Sequence, residues 1–125
     1  MSESLSRFKV KFIIEGIGEA EGELNRIYAP LTVEAIRDKL PISGRVNVWK
    51  DSEVYFNVGI KKGLEKATKE VEKGTIAYWS MGDALCIFFK PIEPYSDVNI
   101  VGKITKNLQV FEKVKRGNKI EMRRI

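Results

Sequence analysis

The stretch GTIAYWSMGDALCIFFKP, residues 74–91, decides the fold. Two aromatics, a tight turn at SMGD and then six apolar residues in a row stand in a chain of which 31% is charged. A short apolar run bounded by turn residues reads as a strand covered on both faces, Ala84 to Lys90, and GTIAYW reads as its partner across the turn. In such a strand Ala84, Cys86 and Phe88 point one way and Leu85, Ile87 and Phe89 the other. One set fills an interior and the other must be covered from outside.

Working outward, alternation marks further strands. In FKVKFII, residues 8–14, Phe8, Val10, Phe12 and Ile14 share a face opposite Lys9 and Lys11. GELNRIYA follows as a second strand after the turn-like GIGEAEG. GRVNVWK and SEVYFNV are two more, with Val54, Phe56 and Val58 on one face and Glu53, Tyr55 and Asn57 on the other. VNIVGKIT is a strand with a central glycine, and NKIEMRRI closes the chain with Ile120 and Met122 on one side. APLTVEAIRDKLP predicts a helix from Thr32 to Leu40. Thr32 is its cap, Glu34 sits in the first turn, Leu31, Ala35, Ile36 and Leu40 form the apolar face, and Pro41 is the stop. KNLQVFEKV predicts a short helix using Leu108, Phe111 and Val114. KKGLEKATKEVEKG, residues 61–74, fits either a thin helical stripe of Leu64, Ala67 and Val71 or a charged loop. The sum is a mainly β chain of about eight short strands with one or two short helices, expected as a single domain over residues 1–125. A closed or nearly closed barrel suits so many short strands, because closure hides their edges.

Composition removes whole classes of chemistry. The chain has no histidine and one cysteine. Imidazole-based catalysis and zinc sites built on histidine are therefore excluded, no disulfide can form within the chain, and neither metal nor cofactor is expected. Cys86 lies inside the apolar run and reads as a small buried hydrophobe. GIGEAEG comes close to a glycine-rich phosphate loop, but Glu15, Glu19, Glu21 and Glu23 would repel phosphate and no helix follows, so it reads as a hairpin turn. Asp51, Glu53 and Asp83 are expected as solvated turn carboxylates. MSESLSRFKV lacks an apolar leader core and no run reaches 18 apolar residues, so no membrane association and a cytoplasmic location are expected. The Lys- and Glu-rich surface is compatible with a thermophilic source. Net charge is +5. Lys113, Lys115, Arg116, Lys119, Arg123 and Arg124 concentrate it near the C-terminus against Glu121 alone. That patch reads as a solvated face. A nucleic-acid accessory role is the alternative, although no interleaved aromatics accompany the basic residues as single-strand binding would want.

The order of these segments resembles a known family. GEAEGELNRIYAPLTVEAIRDKL is similar to the hairpin, second strand and first helix of cyclophilins. LCIFFKP is similar to their double-phenylalanine strand, and VNIVGKITKNLQVFEKV to their late strand and short helix. Taken together, GRVNVW, EVYF, GTIAYW, ALCIFF and VNIVGKI resemble the small prokaryotic family of cyclophilin-like proteins, distant relatives of the prolyl isomerases. The resemblance covers nearly the whole chain. It implies a cyclophilin-like barrel with an outer groove for a prolyl peptide or a small molecule. Phe89 matches the second phenylalanine, which floors the proline pocket in that family, and Tyr78 and Trp79 fall near its border. The implied groove comprises Tyr55, Tyr78, Trp79, Ile87, Phe89 and Tyr95. The departures bear on activity. The family's catalytic arginine has no equivalent in EVYFNVG, where Asn57 stands near its place, and the glutamine motif and the histidine are missing. Crossing the imide barrier of about 18–20 kcal/mol needs a polarising donor. Arg45 is the candidate substitute on a strand. The expected function is thus a binding module for a small molecule or extended peptide, with prolyl isomerisation of weak or altered type as the alternative.

Overall fold

The computed structural model describes residues 6–125. Its elements are β1 (Arg7–Ile14), β2 (Gly18–Asn25), α1 (Pro30–Lys39), β3 (Ile42–Arg45), β4 (Asn47–Trp49), β5 (Glu53–Asn57), β6 (Thr75–Trp79), β7 (Ala84–Phe88), β8 (Asn99–Lys106), a 3₁₀ helix (Leu108–Lys113) and β9 (Lys119–Arg124). The strands form one sheet in the order β3-β9-β1-β2-β8-β6-β7-β5-β4. Nine strands replace the expected eight because GRVNVWK is divided at Val46. The Val46 N–H donates to the Asn118 carbonyl (2.9 Å), and the Val46 carbonyl accepts from Gly117 (2.8 Å). Beyond that point the chain leaves β9 and pairs with β5 instead. The two ends of the sheet are consecutive pieces of one bent strand, so the sheet is a nearly closed barrel.

Alternation builds the interior. Phe8, Val10, Phe12 and Ile14 of β1 meet Val54 and Phe56 of β5, Ile76 of β6, Leu85 and Ile87 of β7 and Met122 of β9 in one core. Phe111 of the 3₁₀ helix packs edge-on against Phe12, with ring centroids 6.0 Å apart. Gly102 on β8 lies opposite Leu24 of β2. A Cβ at Gly102 would run into the Glu23 carbonyl, so the central glycine of VNIVGKIT is what lets β2 approach β8. Strand β7 ends at Phe88, two residues before the expected Lys90, because the N–H groups of Phe89 and Lys90 both turn to the Ser52 carbonyl (2.9 and 3.2 Å).

Helix α1 departs from its expected details. Its buried face is Ala29, Val33 and Ile36, spaced by four and three residues, while Leu31 is 65% exposed. Thr32 is not the cap; it lies within the first turn. The cap comes from Glu65, whose carboxylate accepts from the Leu31 N–H (3.0 Å), the Thr32 N–H (2.9 Å) and the Thr32 hydroxyl (2.7 Å). Burial works against that carboxylate, yet these bonds hold its pKa below the ordinary value. Glu34 lies beyond the first turn and pairs with Arg26.

Residues 61–74 form an extended loop, which decides between the two sequence readings. Buried Asn99 ties the loop down: its Oδ1 accepts from the Glu65 N–H (2.8 Å), and its Nδ2 donates to the Gly63 carbonyl (2.9 Å) and the Thr32 hydroxyl (3.2 Å). Thr68 and Val98 then exchange two backbone bonds of 2.9 Å. Among the described residues, no helix is long and apolar enough to cross a membrane.

Candidate functional site

The outer face of β5–β7–β6 carries a second apolar cluster of Ala77, Cys86, Phe88 and Val98, with Tyr55, Val71, Trp79 and Ile92 packed against it. This cluster explains the double-sided β7. Leu85, Ile87 and Phe89 fill the barrel, and Cys86 and Phe88 lie under the loop formed by residues 91–98. Tyr55 and Ala77 flank Cys86 on its two neighbouring strands. The small side chain of Cys86 leaves room there, and a cavity of about 400 Å³ opens above it.

Four rings wall this cavity in a row. Trp49 meets Tyr95 (centroids 6.2 Å apart, 88° between planes), Tyr95 meets Trp79 (6.0 Å, 75°) and Trp79 meets Tyr55 (5.8 Å, 84°). Each contact is edge-to-face, the arrangement that the ring quadrupoles favour. The hairpin between β4 and β5 delivers Trp49 through a three-residue turn, Lys50 to Ser52, in which Lys50 and Asp51 both adopt positive φ (51° and 54°). Trp79 is fixed from two sides. Its Nε1–H donates to the Ser96 hydroxyl (2.9 Å), and a Cβ at Gly82 would collide with its ring. Met81 and Tyr95 form the open rim, 75% and 66% exposed.

Glu53 belongs to this site, not to a solvated turn. It precedes Tyr55 by two residues on β5, so both point out of the barrel into the cavity, and it is only 6% exposed. Its carboxyl lies beside the Cys86 thiol, which can donate to it. Burial pushes the Glu53 pKa up, and the thiol bond offsets this in part. Cys86 is pushed well above the ordinary thiol range, first by its burial and then by the Glu53 charge. It is therefore no nucleophile at neutral pH. Among the described residues no lysine or arginine pairs with Glu53, and none holds three or more His, Cys, Asp or Glu together as a metal site.

Of the residues the sequence assigned to a groove, the structure brings together Tyr55, Trp79 and Tyr95. Tyr78, Ile87 and Phe89 do not join them, because strand alternation turns all three into the barrel core. The Tyr78 hydroxyl instead donates to Asp83 Oδ1 (2.6 Å) and accepts from the Lys62 N–H (3.1 Å). Burial and the Asp83 carboxylate push its pKa up to about 12. Asp83 also accepts from the N–H groups of Ile60 (3.1 Å) and Lys61 (2.9 Å), so it is a hydrogen-bonded, partly exposed turn carboxylate. Arg45 stands elsewhere, exposed in a shallow cleft with Lys119 and Glu121, where its guanidinium donates to the Gly117 carbonyl (2.9 Å). Sequence reasoning missed Trp49, Glu53 and Ser96. The signal for Glu53 was present, since alternation already placed it on the Tyr55 face.

The sequence profile described as cyclophilin-like matches residues 8–123. Among solved structures, the chain is similar to the solution structure of the hypothetical protein AF2241 from Archaeoglobus fulgidus, with 35% identity, a TM-score of 0.81 and 100% of both chains covered. It is also similar to a structure of McbB in complex with tryptophan, at 14% identity and a TM-score of 0.78, over 92% of this chain and 44% of that one. The latter likeness is one of fold. No curated protein matches the chain.

Proposed function

The chain belongs to the cyclophilin-like family, and from that premise we propose that it is a binding module that takes a small organic molecule into its aromatic pocket. The observation that carries this reading is the row of four perpendicular rings around about 400 Å³ of space. Pockets of roughly 300–1,000 Å³ with apolar walls and a few placed polar groups are the usual form of small-molecule sites. Tyr and Trp supply contact area at low entropic cost, and here a hydrogen bond and interlocked edges hold them in place before any ligand arrives. Pro94, Tyr95, Ser96 and Val98 of one loop line the cavity together with Trp49, and a space of about 400 Å³ suits a compact, ring-sized body. McbB, which shares the fold, has been solved with tryptophan, itself a small aromatic molecule. A prolyl-isomerase reading would need a polarising donor in this pocket. Among the described residues no arginine lines it, and Arg45 is engaged with Gly117 in a separate cleft.

Both tryptophans of the chain, Trp49 and Trp79, line the pocket, so intrinsic fluorescence reports on it. A screen of soluble, non-fluorescent ring compounds should produce saturable changes for some members. Trp79→Ala and Tyr95→Ala should each weaken those hits by about tenfold or more, as for central aromatic anchors. A library that gives no saturable change, or hits indifferent to both substitutions, would remove the proposal.

A further inference from the structure

Resting on the reading of the aromatic cavity as a ligand site, we infer that its ligand carries a positive charge: the pocket is built for an organic ammonium ion, with Glu53 as counter-charge and the rings as its cage. Three observations converge. Glu53 is buried, lines the cavity and has no lysine or arginine partner among the described residues. Buried carboxylates are ordinarily paired with a cation, because an unpaired charge out of water is costly. Its partner within the chain, the Cys86 thiol, is a weak neutral donor. The walls are Trp49, Tyr55, Trp79 and Tyr95, and ring faces attract cations within about 6 Å of the centroid, tryptophan most strongly. The chain already shows that chemistry at one of these rings, where Lys50 Nζ stands 4.8 Å from the Trp49 centroid.

The alternatives fit less well. An anionic ligand would meet the Glu53 carboxylate among electron-rich rings. A purely apolar ligand would leave the carboxyl covered with no cationic partner among the described residues. The net charge of +5 repels cations at long range, but screening at physiological salt confines that effect to about 8 Å, so the local carboxylate decides. The titratable groups that share the cavity with Glu53 are Tyr55 from its own strand, Cys86 from β7 and Tyr95 from the loop, with Lys50 at the hairpin. Burial holds the Glu53 proton more tightly than usual, and a bound cation would release it. Affinity for the cation therefore rises with pH across the range in which Glu53 titrates.

The test compares three ligands with the same ring and chain: phenethylamine (cation), 2-phenylethanol (neutral) and 3-phenylpropionate (anion). Each is titrated into the wild type by calorimetry and by tryptophan fluorescence. The expected order is amine, alcohol, anion, with the amine favoured over the alcohol by about tenfold or more, as for hydrogen bonds to charged groups. Glu53→Gln should bring the ratio of amine to alcohol affinity to near one and abolish its rise with pH. Alcohol binding as tight as amine in the wild type overturns the inference while leaving the pocket reading intact. So does an amine preference that survives Glu53→Gln. Failure of all three ligands to perturb either tryptophan counts against the pocket itself, and the inference falls with it. The wild-type ranking needs no variant to fold.

Discussion

Tyr78 and Trp79 are neighbours in the chain and serve opposite faces of one strand. Tyr78 closes the barrel side by donating to Asp83, and Trp79 walls the pocket. Tyr78→Phe removes one donor from a part-buried, charge-assisted bond and should destabilise the fold by about 1.5 kcal/mol. Burial opposes ionisation of Asp83, but the bonds from Tyr78, Lys61 and Ile60 and the Lys39 charge win, and its pKa is lowered. A depressed carboxylate contributes stability above its ordinary pKa and loses it as pH falls through the folded-state value. The difference between wild type and Tyr78→Phe in urea melts should therefore shrink on acidification, whereas a gap independent of pH would break the link to Asp83. Glu53 has the opposite sign. Its raised pKa means that the folded state holds the proton more tightly than the unfolded chain does, so stability falls as pH rises from the ordinary carboxylate range through the folded-state value. Glu53→Gln removes that loss. Without ligand it should melt higher than the wild type at pH 8, with the advantage narrowing toward pH 4; thermal melts across that span check it.

Two connections set the geometry of the elements around the site. The β4–β5 turn holds Lys50 and Asp51 in left-handed conformations that L-residues adopt at a cost of about 1–2 kcal/mol each. Asp51→Gly keeps Lys50 on Trp49 and relieves the second position. It should stabilise the protein by about 1 kcal/mol, because the exposed Lys90 pair it forfeits contributes little; a lower midpoint in denaturant would contradict the turn assignment. Glu65 reaches back 33 residues to cap α1. Glu65→Ala should cost about 1–2 kcal/mol, as lost caps do, and should speed amide exchange at Leu31 and Thr32 while β1 and β2 stay protected. These elements also show where sequence reading succeeds. The strands FKVKFII, SEVYFNV and NKIEMRRI were legible because period-two alternation is a local signal. The form of residues 61–74 was not, because the forces that hold it are the Asn99 and Glu65 bonds to distant segments. Local pattern likewise separated Leu85, Ile87 and Phe89 from Cys86 and Phe88, but it could not say which set met the barrel. That depended on where the loop of residues 91–98 would pack. The family resemblance puts Phe89 and Ile87 in the groove, whereas the structure turns both into the barrel core, and Glu53 reads as a turn carboxylate although alternation sets it on the Tyr55 face.

At the scale of the whole molecule, one double-faced strand joins the two halves of the account. Its inner face anchors a nearly closed barrel, and its outer face floors an aromatic pocket with a buried acid. The barrel fixes Trp49, Glu53, Tyr55 and Trp79 through strand register, so the site is set by the sheet, and of its four ring walls only Tyr95 stands on a loop. The most direct test of that central claim uses the indole N–H signals of Trp49 and Trp79, the only tryptophans in the chain. In a two-dimensional ¹H–¹⁵N spectrum titrated with phenethylamine, both should shift together and saturably, and the backbone signals of Glu53, Tyr55 and Cys86 should move with them. Two indole signals that stay fixed while shifts gather at Arg45 and Lys119, or nowhere, would contradict the account.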